Sequence, residues 1–167
     1  MKARKRAKKE GLTHLGRKSG YGFKYDPALL ETFPNKNPSA IQWVSLICTE
    51  FTSLCPITGQ PDFAKIFINY VAADKMVESK SLKLYLFSFR DHGDFHEDCV
   101  QKICNDLAAL LTPRYLEVVG EFTPRGGIAI FPFASVHNGQ EDFAELHRER
   151  MIYYAPGKYS MTLGRPY

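Results

Sequence analysis

The chain has 167 residues, of which 44% are hydrophobic and 24% are charged, and its formal net charge is +4. These values are typical of a single globular domain, and they exclude collagen, a coiled coil and a disordered chain. The sequence contains neither the run of about 18 apolar residues that a membrane span requires nor the apolar stretch of a signal peptide. We therefore expect a soluble cytoplasmic protein whose cysteines are free thiols.

The positive charge is concentrated at the N-terminus. Residues 1–10 contain six cations and one anion, so the rest of the chain is close to neutral. We interpret residues 1–24 as a flexible basic tail and residues 25–167 as a single domain. Because the domain itself has no excess of positive charge, the sequence does not favour direct nucleic-acid binding. Recruitment of RNA by the tail stays open as a non-enzymatic alternative.

The first regular elements are two strands separated by a loop. β-Branched and aromatic residues predict one strand over Ile41–Phe51, and alternating side chains predict another over Ile66–Val71. Cys55–Asp62 lies between them and contains two prolines and a glycine, which neither a helix nor a strand ladder accommodates. We therefore predict a loop over this segment.

Two helices are predicted next. Apolar residues on one helical face, from Leu82 onward, indicate the first helix, with Ser79 as its N-cap. The second helix has Asp94 as its N-cap, which would form a capping box with Glu97. This helix is expected to end before Pro113, since proline cannot continue it.

Two further strands complete the pattern. They are predicted over Tyr115–Thr123 and Ile128–Ala134, joined by a hairpin turn at residues 124–127. The order ββααββ, with short connections, predicts an α+β domain in which one antiparallel sheet carries both helices on one face. A short extra helix is predicted over Glu141–Met151.

Cys55 is the first candidate for chemistry, because a loop shaped by proline and glycine can present a thiol to a ligand. Asp62 follows on the same loop, and a curled loop would return its carboxyl group to the sulfur, where it could transfer a proton. The alternative is that Cys55 fills a small space in the core and that Asp62 forms a turn. The residues alone leave both interpretations open.

Two acids and a histidine beside the predicted helices are candidates for binding a ligand. Glu97 could accept two parallel N–H bonds from the 2-aminopyrimidinone edge of a guanine-like ring, and His96 could supply a titratable donor or acceptor. Helix capping alone would also explain Glu97. Glu78 likewise faces either the positive N-terminus of the first helix or a ligand.

A zinc site is a further alternative, since mixed cysteine and histidine ligation suits that metal. Its ligands would be Cys55, His92, His96 and Cys99. The closely spaced cysteine pairs that make such a signal specific are absent from the sequence. We therefore favour chemistry that requires no metal.

A nicotinamide cofactor would need a recognition mode other than the dinucleotide-binding fold. The sequence contains no G-x-G-x-x-G after a predicted strand. The cations that we expect to bind the cofactor phosphates are Lys80, Lys83 and Arg125. Each of them could equally be a solvated surface charge.

Four segments of the chain resemble one known family in their order and spacing. They are Phe51–Phe63, Glu78–Tyr85, Asp91–Asp98 and Phe122–Gly127. The second segment, ESKSLKLY, is similar to the signature of the NADPH-dependent nitrile reductases of queuosine biosynthesis, the 7-cyano-7-deazaguanine reductases. The resemblance extends over roughly residues 25–135, and the length is similar to that of the short, single-domain form of the family.

The resemblance implies a tunnelling fold, in which ββααββ subunits assemble side by side into a barrel with active sites at the subunit interfaces. It also implies a homo-oligomer in which pentameric rings pair into a decamer. Members of the family resemble a zinc-dependent GTP cyclohydrolase in fold, but they reduce a nitrile to an amine with two NADPH and no metal. A zinc-dependent cyclohydrolase or pterin-handling enzyme of the same fold is the alternative.

The resemblance further implies roles for individual residues. Cys55 would attack the nitrile carbon to give a thioimide, Asp62 would deliver a proton, and His96 would assist the chemistry. The residues expected to hold the deazaguanine are Val77, Glu78, Ser79, His96 and Glu97. The residues assigned to NADPH are Lys80, Lys83 and Arg125.

Cys99 lies three residues after His96 on the second predicted helix and could therefore lie beside the same pocket. We hypothesise that oxidation joins Cys99 to Cys55 in a reversible disulfide. Peptide mapping of peroxide-treated protein tests this hypothesis, which fails if both cysteines stay free while activity is lost.

Overall fold

Three α-helices and two antiparallel sheets form the part of the chain that this computed structural model describes, residues 12–14 and 20–155. The strands are β1 (Thr32–Pro34), β2 (Trp43–Leu54), β3 (Pro61–Val71), β4 (Lys75–Val77), β5 (Tyr115–Phe122) and β6 (Phe133–His137). The helices are α1 (Ser79–Phe87), α2 (His96–Leu111) and α3 (Glu141–Ile152). Most of the predicted basic tail, residues 1–24, lies outside the described residues.

The main sheet has the strand order β2-β3-β5-β6, and each neighbouring pair is antiparallel. The α+β class is confirmed, but the observed order of elements differs from the predicted ββααββ, because β1 precedes β2 and β4 lies between β3 and α1. β1 and β4 pair in a second sheet that the sequence analysis missed. Strands of three residues are too short to show an alternating pattern.

The first hairpin of the main sheet is longer than predicted. β2 continues through Leu54 and β3 begins at Pro61, and these two residues are register partners. The predicted loop over Cys55–Asp62 is therefore wrong at its end, because Pro61 and Asp62 belong to a strand. Proline is tolerated at this position, since the first residue of a strand need not donate to the ladder.

The last strand of the main sheet begins later than predicted. The expected strand over Ile128–Ala134 is wrong in its first half, where Ile128 forms only an isolated bridge with Arg125. Pro132 has no N–H group to donate to a ladder. Regular pairing therefore starts at Phe133, opposite Val119.

The predicted N-cap of the first helix is wrong. Glu78 caps α1, because its carboxylate oxygens accept the backbone N–H groups of Lys80 and Ser81 at 3.0 and 2.7 Å. Ser79 is instead the first residue of the helix. A longer side chain one position earlier thus satisfies two of the unpaired N–H groups at this helix end.

The predicted capping box of the second helix is also wrong. Phe95 is the N-cap of α2, and no side chain there makes a capping hydrogen bond. The Asp94 carboxylate is engaged elsewhere, with its Oδ2 atom 2.9 Å from Lys102 Nζ. Glu97 therefore has no capping partner in Asp94 and is exposed on the first turn of α2.

One face of the main sheet packs against α1 and α2. Val118 and Phe122 of β5 point toward this face and are buried together with Val100 of α2. A Cβ atom at Gly120 would lie 2.8 Å from side-chain atoms of both Val100 and Phe122. Glycine at position 120 therefore allows α2 to lie close to β5.

Helix α3 packs on the opposite face of the main sheet and confirms the helix predicted over Glu141–Met151. Phe143 of α3 forms a small buried cluster with Val71 of β3 and Tyr115 of β5. Helix α3 thus covers the opposite face of the sheet at this end, whereas Phe63 and Lys65 near the start of β3 are exposed.

Candidate active site

Cys55 lies in the short turn that joins β2 to β3. The backbone N–H of Cys55 donates to Gln60 O, and the N–H of Gly59 donates back to Cys55 O, both at 2.9 Å. Gly59 has a φ of +67°, a conformation that glycine adopts without strain. The turn therefore closes tightly and leaves the Cys55 thiol half-buried at its mouth.

The environment of the Cys55 sulfur favours the thiolate. Hydrogen bonds from the Thr58 hydroxyl, from the backbone N–H groups of Thr58 and Ile57, and from the Arg125 side chain lower the pKa of Cys55 to about 7. An ordinary thiol has a pKa near 8.5. A large fraction of Cys55 is thus ionised at neutral pH, as a nucleophilic cysteine requires.

Asp62 lies at the start of β3, opposite Ser53 of β2, with only 2% of its surface exposed. Its Oδ1 atom accepts a hydrogen bond from Arg125 Nη1 at 2.7 Å and lies 3.2 Å from His96 Nε2. Its Oδ2 atom is buried with no hydrogen-bond partner among the described residues. A buried oxygen of this kind needs a partner, and a bound ligand can supply one.

His96 is the first residue of α2 and is held by aromatic stacking. Its ring lies parallel to Phe122 of β5, with the ring centroids 4.0 Å apart. Its Nε2 atom faces Asp62, and its Nδ1 atom is buried without a hydrogen-bond partner in the described part of the chain. The unpaired polar atoms of Asp62 and His96 therefore lie together beside the Cys55 turn.

Arg125 completes this group of residues. Arg125 lies in a tight turn after β5. Its Nη2 atom donates to Gln60 Oε1 at 2.9 Å, and its Nη1 atom donates to Asp62 Oδ1. The sequence analysis singled out Arg125 as a cofactor ligand but missed its contact with the acid and the thiol. That contact joins residues 63 positions apart, and it depends on the register of β3 with β5.

A cavity of about 700 Å³ lies on the neighbouring part of the main sheet, and none of Cys55, Asp62, His96 and Arg125 is among its lining residues. It adjoins the group through Phe63, which follows Asp62 in the chain, and through Phe122, which stacks on His96. A volume of this size accommodates a small heteroaromatic molecule.

The other predicted binding residues lie at the far end of the main sheet. Val77 is buried in β4, and the Tyr70 hydroxyl contacts its backbone. Asp62 and Tyr70 are both in β3, so about 25 Å of extended strand separates them. Val77 and its neighbours Glu78 and Ser79 are therefore not brought beside Cys55 within one chain.

Lys80 and Lys83 lie on the first turns of α1, close to Glu78. The Lys80 Nζ atom donates to His14 O at 2.6 Å, and Lys83 is exposed. Their spacing of three residues places both ammonium groups on one side of the helix. They share this end of the molecule with Val77 and Ser79, whereas Arg125 lies at the Cys55 end.

The alternative zinc ligands are not gathered around one point. His92 Nε2 lies 3.2 Å from Asp94 and 3.0 Å from Lys102. Across residues 12–14 and 20–155, no group of three or more His, Cys, Asp or Glu side chains could hold a metal ion. In the same part of the chain, no helix has both the length and the apolar character needed to cross a bilayer.

A thiol with a lowered pKa, a buried acid and an imidazole thus form an arrangement that is chemically suited to covalent catalysis with proton transfer, on an α+β domain. The model of the family described as QueF-like protein matches residues 61–141. A protein of Bdellovibrio bacteriovorus described as NADPH-dependent 7-cyano-7-deazaguanine reductase is 65% identical over 149 residues, which cover 89% of this chain and 88% of that protein. The chain belongs to the QueF-like family, and the resemblance found in the sequence is confirmed.

Relatives from other bacteria carry the same description. The protein of Neisseria meningitidis serogroup C is 58% identical over 144 residues, covering 86% of this chain and 92% of that protein. The protein of Bacillus velezensis is 55% identical, covering 89% and 92%. The crystal structure of the archaeosine synthase QueF-Like in the apo form is similar with a TM-score of 0.55 and 20% identity, covering 60% of this chain and 98% of that chain. This last likeness shows the fold alone.

Proposed function

We propose that this protein reduces the nitrile of 7-cyano-7-deazaguanine to an aminomethyl group with NADPH, as a step of queuosine biosynthesis. The observation that carries the proposal is the Cys55 thiol, with its lowered pKa, beside the buried and half-satisfied carboxyl group of Asp62. Relatives that are 55 to 65% identical and are described as this reductase support it.

The first step is the addition of the Cys55 thiolate to the nitrile carbon. A C–S bond forms, one π bond of the nitrile breaks, and the nitrogen takes a proton from Asp62. Arg125 and His96 hold Asp62 by its Oδ1 atom, so Oδ2 is left to carry this proton. The product is a thioimide, which accepts a hydride far more readily than a nitrile does.

NADPH, when bound, supplies the hydrides, and two are needed for the four electrons of the reduction. Lys80, Lys83 and Arg125 fit its phosphates because their side chains are cations. Between the two hydride additions, the C–S bond of the thiohemiaminal breaks and Cys55 leaves as a thiolate. Addition of the second hydride and a proton converts the remaining imine to the amine. Water would hydrolyse a free imine, so the residues around the site must keep water out.

Binding of the deazaguanine ring is assigned to two sets of residues. His96 and Glu97 lie at the start of α2, where the exposed carboxylate of Glu97 can accept two parallel N–H bonds. Val77, Glu78 and Ser79 form the second set. The Glu78 oxygens each accept one backbone N–H and keep a further lone pair, so capping α1 leaves Glu78 able to bind a ligand.

The two sets imply an active site shared between subunits. About 25 Å of strand separates them within one chain, which is far more than a purine-like ring spans. β2 is an edge strand of twelve residues, and Trp43 and Ile47 on it are exposed. Such an edge pairs readily with another chain. We propose that the protein forms the tunnelling-fold barrel that the family resemblance implies, with pentameric rings that pair into a decamer, which light scattering of the purified protein tests.

The reductase proposal is tested by mixing the protein with NADPH and 7-cyano-7-deazaguanine and following the loss of nicotinamide absorbance. We expect two NADPH to be consumed for each amine formed, with no added metal. The Cys55→Ala variant should consume none, while Cys48→Ala, which removes a cysteine from the same strand region, should keep the activity. Turnover by Cys55→Ala would refute the proposal, and so would a mass spectrum that shows no adduct between protein and nitrile.

A further inference from the structure

Arg125 lies between the two groups that the proposed reaction uses. Its Nη1 atom is 2.7 Å from Asp62 Oδ1, and the interaction of its side chain with the Cys55 sulfur helps to lower the pKa of that thiol. Its Nη2 atom donates to Gln60 Oε1 at 2.9 Å and approaches the Thr58 hydroxyl at 3.5 Å. The guanidinium thus spans the whole Cys55 turn, from the nucleophile to the acid.

The backbone holds Arg125 in this position. Arg125 and Ile128 exchange reciprocal backbone hydrogen bonds of 3.0 Å, and the two glycines between them have φ of +58° and +81°. These are the dihedrals of the two-residue hairpin turn in which both central residues are left-handed. The side chain is therefore delivered by a rigid turn, and glycines 126 and 127 are needed for its conformation.

We propose that Arg125 is a catalytic residue that holds Cys55 as a thiolate and fixes the orientation of Asp62, so that Oδ2 faces the substrate. Arginine suits this position because its planar group makes several hydrogen bonds in fixed directions and does not lose its charge. The role is additional to the cofactor contact proposed above, and its meaning for turnover rests on the proposed reductase function.

The charged groups around the sulfur make the effect of Arg125 measurable. Arg125 approaches Cys55 from the glycine turn, and Asp62 of β3 contacts both Arg125 and His96 of α2, while the turn residues 56–60 contain no titratable side chain. Arg125 is the cation of this set that stays charged at every pH of interest. Its removal should therefore raise the pKa of Cys55.

The test is the rate of alkylation of Cys55 by iodoacetamide between pH 5 and pH 10, with peptide mass mapping to separate Cys55 from the other cysteines. We expect a midpoint near pH 7 in the unmodified protein. Arg125→Met should move the midpoint up by roughly half a pH unit and slow alkylation at pH 7 about twofold, because the hydrogen bonds from Thr58 and Ile57 lower the pKa of Cys55 more than Arg125 does. Arg125→Lys keeps the charge but loses the planar guanidinium group, so its midpoint should lie between those of the unmodified protein and Arg125→Met.

Lys65→Met is the matched control, because it removes an exposed cation from the same strand as Asp62. It should leave the midpoint unchanged. A midpoint that does not move in Arg125→Met, or that moves as far in Lys65→Met, overturns the proposal. Circular dichroism of each variant excludes unfolding, and Arg125→Lys serves if Arg125→Met does not fold.

Alkylation needs neither NADPH nor the nitrile, so this result stands even if the reductase proposal fails. If the reductase proposal holds, the acid limb of kcat/KM against pH should shift with the alkylation midpoint in each Arg125 variant. An acid limb that stays in place while the midpoint shifts would contradict a catalytic role for Arg125.

Discussion

The main sheet contains two buried carboxylates, Asp62 on β3 and Glu117 on β5, and each is paired with an arginine. They differ in whether both carboxylate oxygens are hydrogen-bonded. Glu117 has no exposed surface and accepts four hydrogen bonds. They come from Asn69 Nδ2 at 2.8 Å, Tyr115 OH at 2.7 Å, and Arg150 Nε and Nη2 at 2.8 and 2.7 Å. Every oxygen of Glu117 is thus satisfied within the protein.

Asp62 is almost equally buried, but only one of its oxygens is satisfied. Arg125 and His96 both face Oδ1, and Oδ2 has no partner in the described residues. An unsatisfied buried polar atom costs about 1–3 kcal/mol. The protein tolerates this cost close to a thiol with a lowered pKa, and of these two arginine-paired acids only Asp62 keeps an oxygen that a ligand could engage.

The largest effect that separates the two acids is expected in Asp62→Asn. The amide is isosteric and can still accept a hydrogen bond from Arg125, but it cannot deliver a proton. We expect reductase activity to fall by about 10²–10⁴-fold, with a thermal unfolding midpoint close to that of the unmodified protein. Steady-state kinetics and calorimetry measure the two quantities. Full activity in Asp62→Asn would remove Asp62 from the reaction.

The opposite pattern is expected in Arg150→Met. It leaves the buried charge of Glu117 without its ionic partner, which costs about 3–5 kcal/mol in fully buried pairs. Because about a third of the Arg150 side chain is exposed, we expect a loss near 3 kcal/mol in the free energy of unfolding. Activity per folded molecule should be retained.

Arg148→Met is the control for this change, since Arg148 is an exposed cation on the same helix. Urea unfolding of both variants should show a large loss for Arg150→Met and almost none for Arg148→Met. Equal losses would mean that α3 is destabilised by any loss of positive charge, and the contrast between Glu117 and Asp62 would disappear.

The sequence indicated the long elements and the reactive thiol because their signals are local. Apolar spacing along α2 and alternation along β3 repeat over many residues, and proline and glycine surround Cys55 within a few positions. The arginine partners of both buried acids lie far away in sequence: Arg125 is 63 residues from Asp62, and Arg150 is 33 from Glu117. Strand register and helix packing set these contacts, and a single sequence does not display them.

The helix caps failed for a different reason, which is competition between neighbouring polar residues. Aspartate is a common N-cap residue, but the carboxylate of Asp94 forms a salt bridge with Lys102 of α2. Ser79 is a common capping residue, but Glu78 reaches the same N–H groups from one position earlier. Intrinsic preference ranks such candidates, and the geometry of the chain entering the helix decides between them.

The smallest effect concerns Glu78, a third buried acid, whose oxygens are both engaged but in single hydrogen bonds to the start of α1. Without ligand, Glu78→Ala should lower the free energy of unfolding by about 1 kcal/mol, as loss of a helix cap does. Ser79→Ala is the matched control at the adjacent position and should change it by a few tenths at most.

The order of these two variants in urea unfolding decides which residue caps α1. If Ser79→Ala were the more destabilised, the capping assignment would be reversed. Adding substrate then separates capping from ligand binding, because a ligand that contacts only the folded state stabilises it according to its affinity. If Glu78 also binds the deazaguanine, the stabilisation by substrate should shrink in Glu78→Ala. In its role, Glu78 would then be intermediate between Glu117 and Asp62, because it caps a helix and also keeps a lone pair for a ligand.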